Sequence, residues 1–199
     1  MTKQSDINEK MRAILIDWLI EVHLKFKLLP ETLFLTVNLI DRYLEKEDIP
    51  RTKLQLIGVT AMLIASKYEE IYAPEVRDFV YITDKAYTKE EILKMEYAML
   101  TALDFNVTSP SSYRFLERFS KIINADTPLF NLARYLIELP LIEYRMLKYT
   151  PSNLAASAIF LAQKLMQRGE PAWNEKLQTH SSYGENSLRP CAKDLCILL

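Results

Sequence analysis

Glycine is scarce: there are three in 199 residues, where average usage near 7% would give roughly 14. Gly58, Gly169 and Gly184 stand far apart. Neither G-x-G-x-x-G nor G-x-x-x-x-G-K-[ST] can be written, which excludes the common phosphate-cradling loops. The favoured β-hairpin turns, built on Asn-Gly, Asp-Gly or Gly-x, are largely excluded as well. Histidine is limited to His23 and His180, too few for a multi-histidine metal site, and H-E-x-x-H does not occur. No metal and no cofactor is expected. Cys191 and Cys196 lack C-x-x-C spacing and a second pair, and read as reduced thiols of an intracellular protein. Neither sign of charge dominates: 25 Lys+Arg against 26 Asp+Glu leave a net −1, which argues against a nucleic-acid partner. No secretory signal pattern opens the sequence and no long apolar run is free of charge, so no membrane partner is expected.

What is present is helix, punctuated by proline and capping residues. Apolar spacing predicts helices over about 7–28, from Pro30 to about Lys46, from about Arg51 to Glu70, and from Pro74 to about Tyr81. Thr88, with Glu91 three residues on, is a capping-box pattern that opens a helix to about Leu103. Residues 104–109 read as a linker, and Ser109-Pro110 as an N-cap with proline at the first helical position. Further starts are expected at Thr127-Pro128, Thr150-Pro151, Glu170-Pro171 and near Asn186, and Pro140 should end or kink the helix opened by Pro128. Strand alternation is nowhere sustained, so an all-α protein of about ten helices is expected.

The two halves read as a diverged repeat. An offset of about 97 residues aligns Ala61-Met62-Leu63-Ile64-Ala65-Ser66-Lys67 with Ala158-Ile159-Phe160-Leu161-Ala162-Gln163-Lys164, and Leu39-Ile40-Asp41 with Leu136-Ile137-Glu138. Two units of five helices are therefore expected, over residues 1–106 and 107–199, the second shortened at its end.

Two segments ask for more than a plain core. From Leu54 to Ala65 the third helix carries no charge and is apolar almost all round, with Gly58, Ala61 and Ala65 allowing close approach; such a helix is central. The sequence then turns charged at Lys67, Glu69 and Glu70. Lys67 can be a solvated helix end, or a buried stem whose head pairs with an acid, for which Glu96 is a candidate. In the first helix Met11, Ile14, Leu15, Trp18, Val22 and Phe26 form one apolar stripe and Ile16, Ile20, Leu24 and Leu28 a second, with Asp17, Glu21 and Lys25 between them. That helix is either buried on both sides or offers one face to a partner.

The residues resemble a known family. Met-Arg-Ala-Ile-Leu-Ile-Asp-Trp-Leu at 11–19 is similar to the opening of a cyclin box. So are Glu31-Thr32-Leu33, Asp41-Arg42-Tyr43-Leu44, Lys53-Leu54-Gln55-Leu56 and Ala65-Ser66-Lys67-Tyr68-Glu69-Glu70. Tyr81-Ile82-Thr83-Asp84, Tyr87-Thr88-Lys89 and Met95-Glu96 continue the ordered set across residues 7–107, and the second half resembles a C-terminal cyclin box more diffusely. The chain resembles a mitotic A/B-type cyclin. Gly58-Val59-Thr60-Ala61 and Ser66-Lys67-Tyr68 lean towards B-type, while Val80-Tyr81-Ile82-Thr83 suits A-type equally.

The resemblance implies two five-helix cyclin boxes in tandem and a non-catalytic regulatory subunit that activates a cyclin-dependent Ser/Thr protein kinase in cell-cycle progression. Residence in nucleus and cytoplasm goes with it. It implies that Lys67 and Glu96 anchor the kinase's mobile helix, with Ile64, Tyr68, Glu70, Ile71, Tyr97, Leu100, Phe105 and Val107 on the kinase-facing surface. It gives Arg12 and Asp41 an internal bracing role. It assigns Met11, Ile14, Leu15, Trp18, Glu21, Leu54 and Gln55 to a patch that docks Arg-x-Leu motifs of substrates and inhibitors, the apolar residues holding the Leu and Glu21 attracting the basic residue. About six residues precede the first box, which leaves out most of a leading helix, and Ala73 stands where relatives commonly have a first proline before Pro74. Two other readings come from different classes. One is a cyclin-fold transcription factor or scaffold, which would want a Lys/Arg stripe for DNA. The other is a helical enzyme, for which no nucleophile–base or carboxylate constellation is visible.

Overall fold

The computed structural model describes residues 3–167 and 171–199. Among the described residues there are ten α-helices, a few 3-10 turns and no strand. The chain divides into two compact units, Met1–Ser109 and Pro110–Leu199. The first holds α1 (Glu9–Phe26), α2 (Pro30–Lys46), α3 (Leu54–Glu69), α4 (Val76–Ile82) and α5 (Lys89–Ala102). The second holds α6 (Ser112–Ile122), α7 (Thr127–Glu138), α8 (Pro151–Leu165), α9 (Glu175–Ser181) and α10 (Glu185–Leu198). The repeat is visible in the helix starts: α2 and α7 begin at Pro30 and Thr127, and α3 and α8 at Leu54 and Pro151, both at an offset of 97 residues.

In the first unit α3 is the axis. Every residue from Leu56 to Ser66 is buried, and α1, α2, α4 and α5 pack around it. Its missing charges are thus a packing requirement, since a charge at any of these positions would have to be desolvated. Gly58 makes the closest approach possible: a Cβ there would lie 2.8 Å from Leu15 Cδ1 and 3.2 Å from Leu19 Cδ1. Leu19 is fully buried, although it belongs to neither of the two stripes read along α1. The second stripe itself divides, Ile16 and Leu28 being buried and Leu24 exposed. Arg12, fully buried on α1, reaches α2 through a two-pronged bond to Asp41, with Nε 2.5 Å from Oδ1 and Nη2 2.7 Å from Oδ2. In the second unit α8 takes the matching place, with Ala155, Ala156, Ala158, Ile159 and Ala162 buried against α6, α7 and α10.

Capping chemistry sets most starts. The Thr88 capping box closes in both directions with Glu91, and Thr150 caps α8 ahead of Pro151. Four expected starts move. Residues 51–53 form a 3-10 turn and α3 begins after it, at Leu54. Pro74 lies outside α4, whose N-cap is Glu75, closed by a capping box with Asp78. The N-cap of α6 is Ser111 rather than Ser109. The linker before it is tied back to the first unit, where Asn106 O accepts from Arg42 and the Thr108 hydroxyl meets Tyr68 Oη. The same ties explain a division after Ser109 rather than at 106/107. Gly169 and the Glu170 of the expected Glu170-Pro171 start lie outside the described residues; α9 begins at Glu175, capped by Asn174. Pro140 falls in a 3-10 turn that follows α7 directly, as a proline that cannot continue an α-helix should.

Candidate functional site

Two exposed surfaces are built on α3, one at each end. At its C-terminal end Lys67 stands in the last turn, where the carbonyl end of a helix favours a cation. Its Nζ donates to both carboxylate oxygens of Glu96 on α5, each at 2.9 Å. The lysine is 49% exposed and the acid 14%. The structure therefore brings together the two residues whose pairing the sequence left open, with the ammonium at the rim.

The segments that carry this pair also carry exposed apolar side chains. Ile71 is 89% exposed and Tyr72 93%, and Tyr68, Tyr97 and Phe105 are exposed as well. Leu100 and Val107 are half-buried beside them. Large apolar side chains left this exposed are candidates for a partner surface. Phe105 is held out by a left-handed pair of residues, Asp104 and Phe105, with φ of 53° and 56°, a region that side chains other than glycine adopt only at a cost. Two members of the sequence-derived set behave differently. Ile64 is buried in the core of the first unit, because it faces inward from an all-round apolar helix. Glu70 turns back towards α2: its Oε1 accepts from Leu29 N at 2.7 Å and from Thr32 Oγ1 at 2.5 Å. Tyr72, the most exposed of these side chains, was absent from that set, although its place directly after Ile71 was a signal.

At the other end of α3 lies a groove of about 350 Å³, lined by Met11, Ile14, Leu15 and Trp18 of α1 and by Arg51, Leu54 and Gln55. Ile14 is 62% exposed, Met11 and Trp18 are half-buried, and Leu15 and Leu54 form the floor. The first stripe of α1 is thus shared between core and groove. Glu21 is exposed but does not line the groove. Arg51 does, and sequence reasoning missed it as a lining residue, although Arg51, Leu54 and Gln55 share the i, i+3, i+4 spacing of one helical face. Arg51 is bound to Asp6, with backbone N 2.8 Å from Oδ2 and Nε 2.6 Å from Oδ1. Those hydrogen bonds hold the Asp6 carboxyl below its ordinary range and raise Arg51 in turn.

Among the described residues no group of three or more His, Cys, Asp or Glu could hold a metal ion, and no helix is long and apolar enough to cross a membrane.

The chain is similar to known proteins over its whole length. Residues 1–108 match the family model for the cyclin N-terminal domain, and residues 110–199 that for the cyclin C-terminal domain. The chain is 54% identical over 192 residues to G2/mitotic-specific cyclin-1 of Medicago sativa subsp. varia, covering 96% of this chain and 45% of that protein. It is 52% identical over 198 residues to Cyclin-B2-1 of Arabidopsis thaliana, covering 100% of this chain and 46% of that one. The chain spans less than half the length of these curated relatives. Among solved structures, a viral cyclin from herpesvirus saimiri is similar with a TM-score of 0.84 at 22% identity, covering 98% of this chain and 89% of that one. A chain of the yeast RNA polymerase II CTD kinase complex CTDK-1 is similar with a TM-score of 0.80 at 15% identity, covering 98% and 67%.

Proposed function

The chain belongs to the cyclin family, with relatives of the mitotic B-type, and on that footing we propose that it is a non-catalytic subunit that binds and activates a cyclin-dependent protein kinase. The observation that carries this reading is the Lys67–Glu96 pair on segments that also expose Tyr68, Ile71, Tyr97 and Phe105. A half-exposed ammonium already oriented by a carboxylate has donor capacity left for carbonyls at a partner's helix end, and the aromatic and aliphatic side chains exposed on the same segments supply apolar area to bury. Binding then acts as a population shift, favouring the kinase arrangement in which a mobile helix presents its Glu to the nucleotide-binding Lys. Moving such an equilibrium from 1:99 to 99:1 requires about 5.5 kcal/mol of differential binding.

The groove between α1 and α3 is, in the same proposal, the dock for Arg-x-Leu segments of substrates and inhibitors. Leu15 and Leu54 form an apolar floor for the Leu, Trp18 and Met11 its walls, and Glu21, one turn beyond Trp18, a charge for the basic residue. Docking there raises the local concentration of substrate at the kinase and performs no chemistry. The setting would be cell-cycle progression at G2/M or S/G2, in nucleus and cytoplasm.

The test is a titration of the chain against a panel of purified cyclin-dependent kinases at fixed kinase concentration. Activity rising to saturation with at least one of them is the expected result. A flat response with all of them, together with no co-purifying kinase by mass spectrometry, would overturn the proposal.

A further inference from the structure

Glu70 belongs to the exposed end of α3, yet one of its carboxylate oxygens is occupied far away in sequence. α2 begins at Pro30 with Leu29 as N-cap, and Leu29 makes no side-chain capping bond. Glu70 supplies what is missing: its Oε1 accepts the Leu29 N–H at 2.7 Å and the Thr32 hydroxyl at 2.5 Å. In a capping box the acid that accepts the N-cap N–H comes from the same helix, three residues on. Here that position is Thr32, and the acid arrives from α3. Thr32 is fully buried, so it cannot itself touch a partner.

The far end of α2 does the same for the other rim. Arg42 Nη2 donates to Asn106 O at 2.8 Å, and Lys46 Nζ donates to Ala102 O at 2.6 Å and to Asp104 Oδ2 at 3.1 Å. Ala102 and Asn106 flank the left-handed pair that displays Phe105, and Asp104 belongs to it. The two rims then meet directly, Tyr68 Oη lying 2.6 Å from Thr108 Oγ1. One rigid helix is therefore tied near its start to the segment carrying Tyr68, Ile71 and Tyr72, and near its end to the segment carrying Phe105 and Val107.

We propose that α2 is the frame that fixes the spacing of the two rims of the kinase-facing surface, with Thr32 and Arg42 as positioning residues that act through Glu70 and the 102–106 segment. The inference rests on the kinase-binding reading above. Its physical content is preorganisation: side chains and loops ordered before binding do not have to be ordered during it.

Thr32→Val, which keeps the shape and removes the hydroxyl, is compared with Thr32→Ser, which keeps the hydroxyl, and with Arg42→Met. Amide hydrogen exchange on the free chain and kinase activation are both measured. Thr32→Val is expected to raise the concentration for half-maximal activation about tenfold with an unchanged plateau, the size set by losing a hydrogen bond to a charged acceptor. It should also speed exchange at Leu29 and across 70–72, while Thr32→Ser remains near wild type. Arg42→Met should speed exchange across 103–107. The proposal is overturned if Thr32→Val activates like wild type while Glu70→Ala does not, since Glu70 would then act by direct contact alone. Equal acceleration of exchange in α1 and α5 would overturn it too, as general loosening. If the wild-type chain activates no kinase, the function fails, whereas the exchange measurements still decide whether the tether exists.

Discussion

Lys67 holds Glu96 with one ammonium shared between two carboxylate oxygens, both at 2.9 Å, and the lysine remains half in water. That exposure decides what the pair is for. An ion pair with one partner solvated contributes about 0.2–1 kcal/mol to folding, well below the 3–5 kcal/mol lost when a fully buried pair is broken. Lys67→Ala should therefore leave the unfolding midpoint almost unchanged and raise the half-maximal concentration for kinase activation by at least about tenfold. Denaturant melts beside activation titrations read both. A variant that lost stability and activation together would mean the pair serves the fold.

Removing Met11 and Trp18 tests the groove. The double variant Met11→Ala with Trp18→Ala should lower phosphorylation of Arg-x-Leu substrates by about tenfold or more while sparing short peptides without the motif. Equal losses on both substrate types would indicate damage to α1 packing.

Asp6 neutralises a cation in the wall of that groove. With Asp6→Asn, Arg51 remains in place but uncompensated, and a basic docking motif should bind about 2- to 10-fold more weakly, an effect that shrinks as salt rises. Peptide titration at two ionic strengths measures it. Unchanged binding of the basic peptide at both ionic strengths would show that Arg51 does not reach the bound segment.

The Arg12–Asp41 pair sits at the opposite extreme from Lys67–Glu96. With Arg12 fully buried and Asp41 18% exposed, Asp41→Ala removes the two-pronged carboxylate partner of a desolvated guanidinium and should cost about 3–5 kcal/mol. Chemical denaturation of the first unit reads this as a lowered midpoint with little change in slope.

The two cysteines should separate cleanly. Cys196 is exposed and Cys191 buried, and burial pushes the Cys191 thiol up to about 11. Since the thiolate is the nucleophile, iodoacetamide at pH 8 should label Cys196 and spare Cys191 until unfolding, read by peptide mass spectrometry. Between the ordinary thiol range and about 11 the unfolded chain releases a proton that the folded chain retains. This site therefore lowers stability as pH rises through that window.

Much of this was legible in the sequence, and where it was not the reason is distance along the chain. Thr88 with Glu91, and Thr150 before Pro151, announce their helices because a cap is a local interaction. The all-round apolar run of α3 announces a central helix for the same reason. Ser109-Pro110 carries an equally good local signal, yet the start moves to Ser111 while Arg42 and Tyr68 hold residues 106 and 108 elsewhere. Glu70 reads as a surface acid until Leu29, 41 residues away, is seen to claim it. Arg51 was within reach through its spacing to Leu54 and Gln55; its Asp6 partner, 45 residues off, was not.

One consequence of the buried α3 axis concerns how the first unit opens. A helix buried from Leu56 to Ser66 gains nothing from existing alone, because its apolar surface needs all its neighbours at once. The groove at one end and the rim around Lys67 at the other therefore belong to a single cooperative unit of local unfolding. A ligand seated at either end raises the free energy of that shared opening. Occupancy of the groove should thus slow hydrogen exchange around Lys67, across the length of a helix that neither ligand touches in its middle.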